Sequence, residues 1–226
     1  MNCWNRLSLE TMNKNKHAIV CALILAAILI VDQVVKIMVK THMHIGEDIP
    51  LIGDWCHLHF IENEGFAFGT SFGGVVGKYF LTVFRILASI AIGWIVIRQI
   101  KKEGRTSLIL CLTLILAGAV GNIIDCCFYG LIFNESYYNV ATLFPPEGGY
   151  APFLQGRVVD MFYFPLFEFD WPAWVPFAGG SHFEFFSAIF NVADAAITVG
   201  VIWLIIDQIF FVPKPVKEKC EEKSVE

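Results

Sequence analysis

Two asparagine–aspartate pairs occur in this chain with the same spacing. Asn122 stands three residues before Asp125, and Asn191 stands three residues before Asp194. Residues three apart share one face of a helix, so each amide can donate a hydrogen bond to a carboxylate without adding charge. Asp160, in the sequence GRVVDMF between the two pairs, can fold back to the same place. These side chains form the candidate reactive group.

Carboxyl groups that meet at one place are suited to hydrolysis. Two carboxyls about 3 Å apart cannot both ionise cheaply, so one holds a proton while the other can deprotonate a water molecule. Such a pair hydrolyses amides without a metal or a covalent nucleophile. Ser187 has no evident base beside it in the sequence, which argues against serine catalysis.

Two aspartates also fit structural roles, and both interpretations stay open at this point. Asp32 lies one helical turn before Lys36, so the two can form an ion pair. Asp125 can cap or hydrogen-bond the end of its helix. Asp194 has no basic residue in its apolar segment, and an unpaired carboxylate inside a membrane is costly, which favours a functional role there.

The sequence gives no sign of a metal or another cofactor. The pairs His42/His44 and His57/His59 have a His-x-His spacing, but alternation along a strand also produces such pairs, and no carboxylate motif accompanies them. The seven cysteines are odd in number and fall mostly in or beside apolar segments. This pattern is typical of small buried side chains rather than of a disulfide framework.

Four long apolar segments must position these residues. The chain is 56% hydrophobic and 16% charged, with a mean hydropathy of +0.62, which is too apolar for an ordinary water-soluble domain. Crossing a hydrocarbon core roughly 30 Å thick takes about 20 apolar residues. The sequence predicts one membrane domain with spans at about 18–39, 79–97, 107–128 and 185–212.

The distribution of Lys and Arg predicts the orientation, because basic flanks stay in the cytoplasm. Basic residues concentrate before the first span, in the 98–106 loop and in the 213–226 tail. Both termini are therefore expected in the cytoplasm, and loops 40–78 and 129–184 outside. Arg85 lies about six residues into the second span, where reaching out to the headgroups explains it.

The outer loops are predicted to carry the remaining structure. Alternation from Trp55 to Ile61 favours a short strand, and the aromatic-rich 129–184 loop is expected at the headgroup level. The tail 213–226 is expected to be disordered. The predicted fold class is an all-α membrane protein of four transmembrane helices, with a small periplasmic β element and an interfacial loop or helix.

The sequence argues against three other classes of function. A net charge of −5 without a basic stripe argues against nucleic acid. An ion-coupled transporter needs a polar path to the inner leaflet, and only Asp207 lies near the inner ends of the spans. A scaffold subunit explains small residues such as Gly118 and Gly121 as helix contacts, but it leaves the convergence of carboxylates unexplained.

Five short motifs, in order along the chain, resemble those of the bacterial lipoprotein signal peptidases, or signal peptidase II. The segments that carry the resemblance are DQVVK from Asp32 to Lys36, NEGFAFG from Asn63, GNIID from Gly121, VVDMF around Asp160 and FNVAD ending at Asp194. The resemblance covers most of the chain. Each motif alone is weak, but five in order on the expected elements are specific.

The resemblance implies an aspartic endopeptidase of the bacterial inner membrane, with its active site near the periplasmic face. Asp160 and Asp194 would be the catalytic dyad. The residues that would shape the site or hold substrate are Asp32, Lys36, Asn63, Gly65, Asn122, Asp125, Arg157, Asn191 and Ala193. The implied substrate is a prolipoprotein cut before its diacylglyceryl-modified cysteine. Membrane lipids are the other expected partners, and the enzyme is expected to act as a monomer without a cofactor.

The chain also departs from the family pattern. Cys126 stands where the family usually has an arginine, so that charge is absent or supplied elsewhere, with Arg157 as a candidate. The segments on either side of Asp160 are longer than is usual, which resembles the long form found among Bacteroidetes members.

Overall fold

Four helices among the described residues are long and apolar enough to cross a membrane. A computed structural model describes residues 3–64 and 74–211, with side chains described for residues 14–64 and 74–210. The four helices are α1 (Cys3–His42), α2 (Gly74–Lys101), α3 (Thr106–Ile124) and α5 (Val192–Phe211). The predicted spans are thus confirmed as helices that can span, with different ends. The 213–226 tail lies outside the described residues.

Helix α3 packs against each of the other three spanning helices. Its glycines permit the closest approach, since a Cβ atom on Gly118 would lie 2.1 Å from the carbonyl oxygen of Ala193 in α5. A Cβ atom on Gly121 would lie 2.8 Å from Oδ2 of Asp32 in α1. Small residues therefore let α1 and α5 approach α3 closely next to Asp32 and Ala193.

The last span begins later than its apolar sequence predicts. Residues 185–190 read as the start of a helix, but they contain the end of strand β5 (His182–Phe185) and strand β6 (Ile189–Phe190). Aromatic and β-branched residues are as apolar in a strand as in a helix, so hydropathy alone does not separate the two. Helix α5 starts only at Val192. Asn191 therefore precedes the helix, and Asp194 lies in its first turn.

The fold is not all-α. Strands β1 (Asp48–Ile52), β2 (Cys56–Asn63) and β3 (Val158–Tyr163) join β6 in an antiparallel sheet of order β1-β2-β3-β6. Strand β2 covers most of the segment in which a strand was predicted. The rest of the sheet depends on pairing across distant parts of the chain, which no local pattern reveals.

A hairpin of β4 (Phe167–Asp170) with β5 occupies the aromatic outer segment, where a loop or helix was expected. At the other end of that segment, α3 continues through a π-helical turn, Asp125–Tyr129, into the short α4, Gly130–Ile132. The buried core at this end combines α1, β2, β3 and the residues after α3, and its members are Val39, Met43, Phe60, Tyr129, Phe133, Ala141, Val159 and Met161.

Candidate active site

The first turn of α5 is closed by a reciprocal cap. Oδ1 of Asn191 accepts the backbone N–H of Asp194 at 2.9 Å, and Oδ2 of Asp194 lies 3.5 Å from the backbone nitrogen of Asn191. A polar residue at the cap and an acidic residue three positions later satisfy backbone donors that a helix start leaves unpaired. The spacing of Asn191 and Asp194 thus fixes where the helix begins and holds the Asp194 carboxylate there.

Strand geometry directs Asp160 toward this cap. Its neighbours Val159 and Met161 are buried in the core, and successive side chains on a strand point to opposite faces. The register between β2 and β3 shifts between Leu58 and Ile61, after which Ile61 lies opposite Asp160. Asp160 therefore leaves the core face and is 2% exposed.

A chain of amides links the two candidate aspartates. Nδ2 of Asn191 lies 2.6 Å from Oδ1 of Asp160 and 3.2 Å from Oδ1 of Asn122. Nδ2 of Asn122 in turn donates to Oδ1 of Asp194 at 2.8 Å. The sequence predicted that each asparagine would serve the aspartate three residues on. Asn122 instead donates to Asp194 and not to Asp125, because the amides meet across three elements that converge at this point.

Asp160 is held in a setting that favours its neutral form. Burial raises its pKa to about 7, and the nearby charge of Asp194 acts in the same direction. The amide of Asn63, which donates to Oδ2 of Asp160 at 3.2 Å, and that of Asn191 oppose this rise. Asp160 can therefore hold a proton near neutral pH, beside a half-buried Asp194.

Lys36 is buried beneath the candidate aspartates and contacts three polar side chains. Its Nζ atom lies 2.9 Å from Oδ2 of Asp32, 2.7 Å from Oδ2 of Asp125 and 2.9 Å from Oδ1 of Asn122. The side chains of Lys36, Asp32 and Asp125 are fully buried. The ion pair anticipated for Asp32 and Lys36 is present, and Asp125 shares it. One lysine thus offsets part of the charge of two carboxylates and orients Asn122.

Asp32 has a second contact that its sequence position does not reveal. Its Oδ1 atom accepts the backbone N–H of Ala193 at 2.8 Å. This bond satisfies another donor at the start of α5 and places a carboxylate at the positive end of the helix dipole. Asp32 therefore connects the C-terminal half of α1 to the start of α5.

Sequence reasoning missed Gln33 although it lies inside the first motif. Nε2 of Gln33 donates to Oδ2 of Asp32 at 3.1 Å and to Oδ1 of Asp125 at 2.9 Å, and its Oε1 accepts from Tyr129 at 3.2 Å. A neutral amide that joins two aspartates is visible only once α1 and α3 are packed together. Its position next to Asp32 is the one local signal that pointed to it.

Sequence reasoning also missed a buried ionic cluster formed by Glu62, Lys40, Arg157 and Glu135. Lys40 forms an ion pair with Glu62, and Nη1 of Arg157 lies 3.0 Å from Oε2 of Glu62 and 2.6 Å from Oε1 of Glu135. Burial alone would raise the pKa of Glu62, but the charge of Lys40, with hydrogen bonds from its neighbours, holds that pKa below its ordinary value. Glu62 precedes Asn63 on β2, and Arg157 directly precedes β3, so the cluster holds these two strands together beside Asn63.

The structure also gives partners to Asp207 and to the His57/His59 pair. Asp207, the carboxylate near the inner end of α5, lies 2.5 Å from Nη2 of Arg105 and is thereby paired. His57 and His59 do have a carboxylate nearby, since Asp48 on β1 lies 2.9 Å from Nδ1 of His57. Among the residues that the structure describes, no group of three or more candidate ligands could hold a metal ion.

The family model of signal peptidase II matches residues 24–210, a range that contains every element of this site. The chain belongs to the signal peptidase II family. The family resemblance of the five motifs is thereby confirmed. The lipoprotein signal peptidase of Porphyromonas gingivalis is 46% identical over 188 residues, which cover 83% of this chain and 81% of that protein.

A second relative and a solved structure are also similar to this chain. The lipoprotein signal peptidase of Amoebophilus asiaticus is 36% identical over 194 residues, covering 84% of this chain and 77% of the relative. A bacterial membrane enzyme solved by the in meso method at 1.9 Å resolution is similar with a TM-score of 0.56 and 26% identity. That match covers 85% of this chain and 94% of the solved one.

The departure from the signal peptidase pattern at Cys126 has a structural counterpart. Nη1 of Arg85, on α2, lies 3.7 Å from Sγ of Cys126. Arg85 therefore contacts the bundle at Cys126, a partner that its sequence position does not reveal. Arg157, the earlier candidate to replace the family arginine, is engaged by Glu62 and Glu135 instead. Of the other family positions, Gly65 lies outside the described residues.

Proposed function

We propose that this signal peptidase removes signal peptides from lipid-modified prolipoproteins and cuts before the diacylglyceryl-modified cysteine. One observation supports this more than any other. Asp160 and Asp194 come from distant parts of the chain and are joined through the amides of Asn191 and Asn122. Amides orient carboxylates without neutralising them, which is what a water-activating pair requires.

In the proposed reaction Asp194 acts as the base and Asp160 as the acid. Asp194 is half-buried, so water reaches it, and it removes a proton while the water oxygen attacks the scissile carbonyl carbon. Asp160, protonated near neutral pH, donates a hydrogen bond to the developing oxyanion. The carbon–nitrogen bond then breaks, and the leaving amine takes up a proton from the pair. The product acid and amine account for the added water.

Helix length supports a site just beneath the outer membrane boundary. Helix α5 has 20 residues, and at about 1.5 Å per residue this equals roughly 30 Å, the thickness of a hydrocarbon core. Asp194 is the third residue of α5, so it lies roughly 3 Å inside that boundary. Basic residues in the 98–106 loop support a cytoplasmic location for the opposite end of the bundle. The dyad then faces the periplasmic side, with both termini cytoplasmic.

The remaining site residues are proposed to position the dyad and the substrate. Lys36, Asp32 and Asp125 hold Asn122 and the start of α5 in place. Asn63 holds Asp160, and the cluster around Glu62 and Arg157 supports the strand that carries Asn63. The backbone N–H of Ala193 donates the hydrogen bond that Asp32 accepts. Gly65 follows Asn63 in the family motif and is proposed for substrate contact on that ground alone.

The test is cleavage of a diacylglyceryl-modified prolipoprotein peptide by the purified protein in detergent, with a chelator present. Wild type is compared with Asp160→Asn and Asp194→Asn, and with Asp207→Asn as a control for losing a buried span carboxylate. Each variant is scored only if it elutes from size exclusion like wild type. We expect wild type and Asp207→Asn to cut before the lipidated cysteine and both dyad variants to be inactive.

Two results would overturn the proposal. Normal cutting by either folded dyad variant removes that aspartate from the mechanism. Failure of wild type to cut a peptide that the Porphyromonas gingivalis enzyme cuts under the same conditions removes the proposed substrate class.

A further inference from the structure

Strands β4 and β5 form a ribbon with two different faces. Phe167 pairs with Phe185 and Phe169 pairs with Phe183 in the antiparallel register. Their ring centroids are 4.6 Å and 5.1 Å apart. Because side chains alternate along a strand, these four rings share one side of the ribbon. We call this side the aromatic face.

The opposite side of the ribbon is charged. Glu168 pairs with Glu184, and Asp170 pairs with His182. Nδ1 of His182 lies 2.8 Å from Asp170 and Nε2 lies 3.4 Å from Glu168, while Tyr163 hydrogen-bonds Glu184. The hydrogen bond to Asp170 raises the pKa of His182. The positive charge of protonated His182 thus partly offsets the carboxylates, and this side of the ribbon is polar enough to face water.

The tip of the ribbon, residues 171–180, contains no charged residue. Its largest side chains point outward, since Trp174 is 81% exposed and Phe177 fully so. Its backbone is nevertheless bonded internally. The N–H groups of Val175, Gly179 and Gly180 donate to the carbonyl oxygens of Pro172, Val175 and Trp171 at 2.9 to 3.0 Å. Internal bonding of this kind is what a loop needs to enter a medium that offers few hydrogen bonds.

The ribbon follows strand β3 and leads through β6 into the start of helix α5. Aromatic contacts run from its end to the four-stranded sheet, with centroid distances of 6.0 Å between Phe186 and Phe190 of β6 and 5.6 Å between Phe190 and Phe164, which follows β3. The residue after Phe190 is Asn191, the cap of α5. Since α5 is just long enough to cross the hydrocarbon, these rings lie where the headgroups begin.

We infer that the aromatic face and the tip of the ribbon lie in the headgroup region of the outer leaflet, with the charged face turned toward water. The occupant of this surface is the bilayer itself. Binding comes from apolar area rather than from attraction to anionic lipids, because the ribbon carries mainly acidic charge. The ribbon connects the strand of Asp160 to the helix of Asp194, so this contact sets the depth of both at the membrane surface.

Site-specific fluorescence tests this placement. The background is Cys3→Ser with Cys220→Ser, and the cysteines at 21, 56, 111, 126 and 127 are free and buried. An environment-sensitive nitrobenzoxadiazole label is attached at Phe177→Cys on the tip or, as the matched control, at Glu168→Cys on the charged face. Each protein is placed in nanodiscs of phosphatidylcholine, with or without lipids that carry a spin label near the top of the acyl chain.

We expect the label at 177 to emit at shorter wavelength than the label at 168, to be quenched by the spin-labelled lipid, and to be shielded from iodide. The label at 168 should behave in the opposite way. These differences should persist at high salt, where surface electrostatic attraction is screened.

Two outcomes overturn the inference. If both labels are quenched equally by iodide and neither by lipid, the ribbon stands in water. If the blue shift at 177 appears only in nanodiscs loaded with two copies, the partner is a second chain rather than the bilayer. The readout does not depend on peptidase activity, so it fails or succeeds separately from the proposed function.

Discussion

The side-chain amide of Asn191 lies 2.6 Å from the carboxylate of Asp160, 31 residues away along the chain. The carbonyl oxygen of the same amide group accepts the backbone N–H of Asp194 at 2.9 Å. Asn191 therefore caps the start of helix α5 and also positions this helix against strand β3, which carries Asp160.

This double role predicts that Asn191→Ser and Asn191→Ala differ in stability but not in activity. Serine can still accept the backbone N–H of Asp194, whereas alanine cannot, which costs about 1 kcal/mol of helix capping. Both variants lose the donor to Asp160, and a hydrogen bond to a neutral carboxyl is worth about 0.5–1.5 kcal/mol, or roughly 2- to 10-fold in rate. Thermal unfolding in detergent and peptide cleavage measure the two effects separately.

The contradicting result for Asn191 is a serine variant with wild-type cleavage. It would mean that capping alone matters and that the amide of Asn191 does not orient Asp160.

The Asn63 contact predicts a shift in the pH profile. Cleavage needs protonated Asp160 in the proposed mechanism, so the rate should fall as pH rises through about 7. The hydrogen bond from Asn63 favours the charged carboxylate, so Asn63→Ala should raise the pKa of Asp160 and move the alkaline fall to higher pH. The measurement is kcat/KM against pH. Asn134→Ala, which removes an exposed acceptor for Thr142, should leave the profile in place; a downward shift in Asn63→Ala would contradict the assignment.

Two glycines in the spanning helices should respond oppositely to alanine. A Cβ atom at Gly118 would lie 2.1 Å from the carbonyl oxygen of Ala193, so α5 must move, at a cost of about 1–3 kcal/mol. A Cβ atom at Gly93 would meet Leu116 at an ordinary 3.7 Å, and alanine should gain roughly 0.5–1 kcal/mol of helix stability. Melting temperatures of the two variants give the comparison. Equal melting temperatures would show that α3 and α5 do not pack this closely.

Arg85 and Cys126 predict a rescue experiment. Arg85→Leu should slow cleavage roughly tenfold or more, because it removes a cation that lies against Cys126 beside the site. Adding Cys126→Arg, which restores the family pattern, should recover much of that loss. Arg98→Leu, at the other end of the same helix, is the matched control and should cut normally. A double variant no faster than Arg85→Leu alone would mean that the two positions do not share a role.

The sequence predicted what depends on local pattern. Apolar length identified the four spanning helices, and alternation identified β2, because both signals are carried by neighbouring residues. The start of α5 was wrong because apolar aromatic residues precede it, although the cap spacing of Asn191 and Asp194 was readable as a helix start. Gln33 and Glu62 were missed for another reason. Their partners come from distant segments, and only packing brings them together.

The turn between Phe144 and Tyr150 is hydrogen-bonded at both ends to the neighbouring residues Ile132 and Phe133. The backbone N–H of Phe144 donates to Ile132 at 2.7 Å, and that of Tyr150 donates to Phe133 at 3.0 Å. Pro146, Glu147 and Gly148 are exposed between these anchors. Residues inserted here should therefore leave the register of the strand that carries Asp160 unchanged. An epitope inserted at Glu147 would report the sidedness of the enzyme in intact cells while leaving its chemistry untouched.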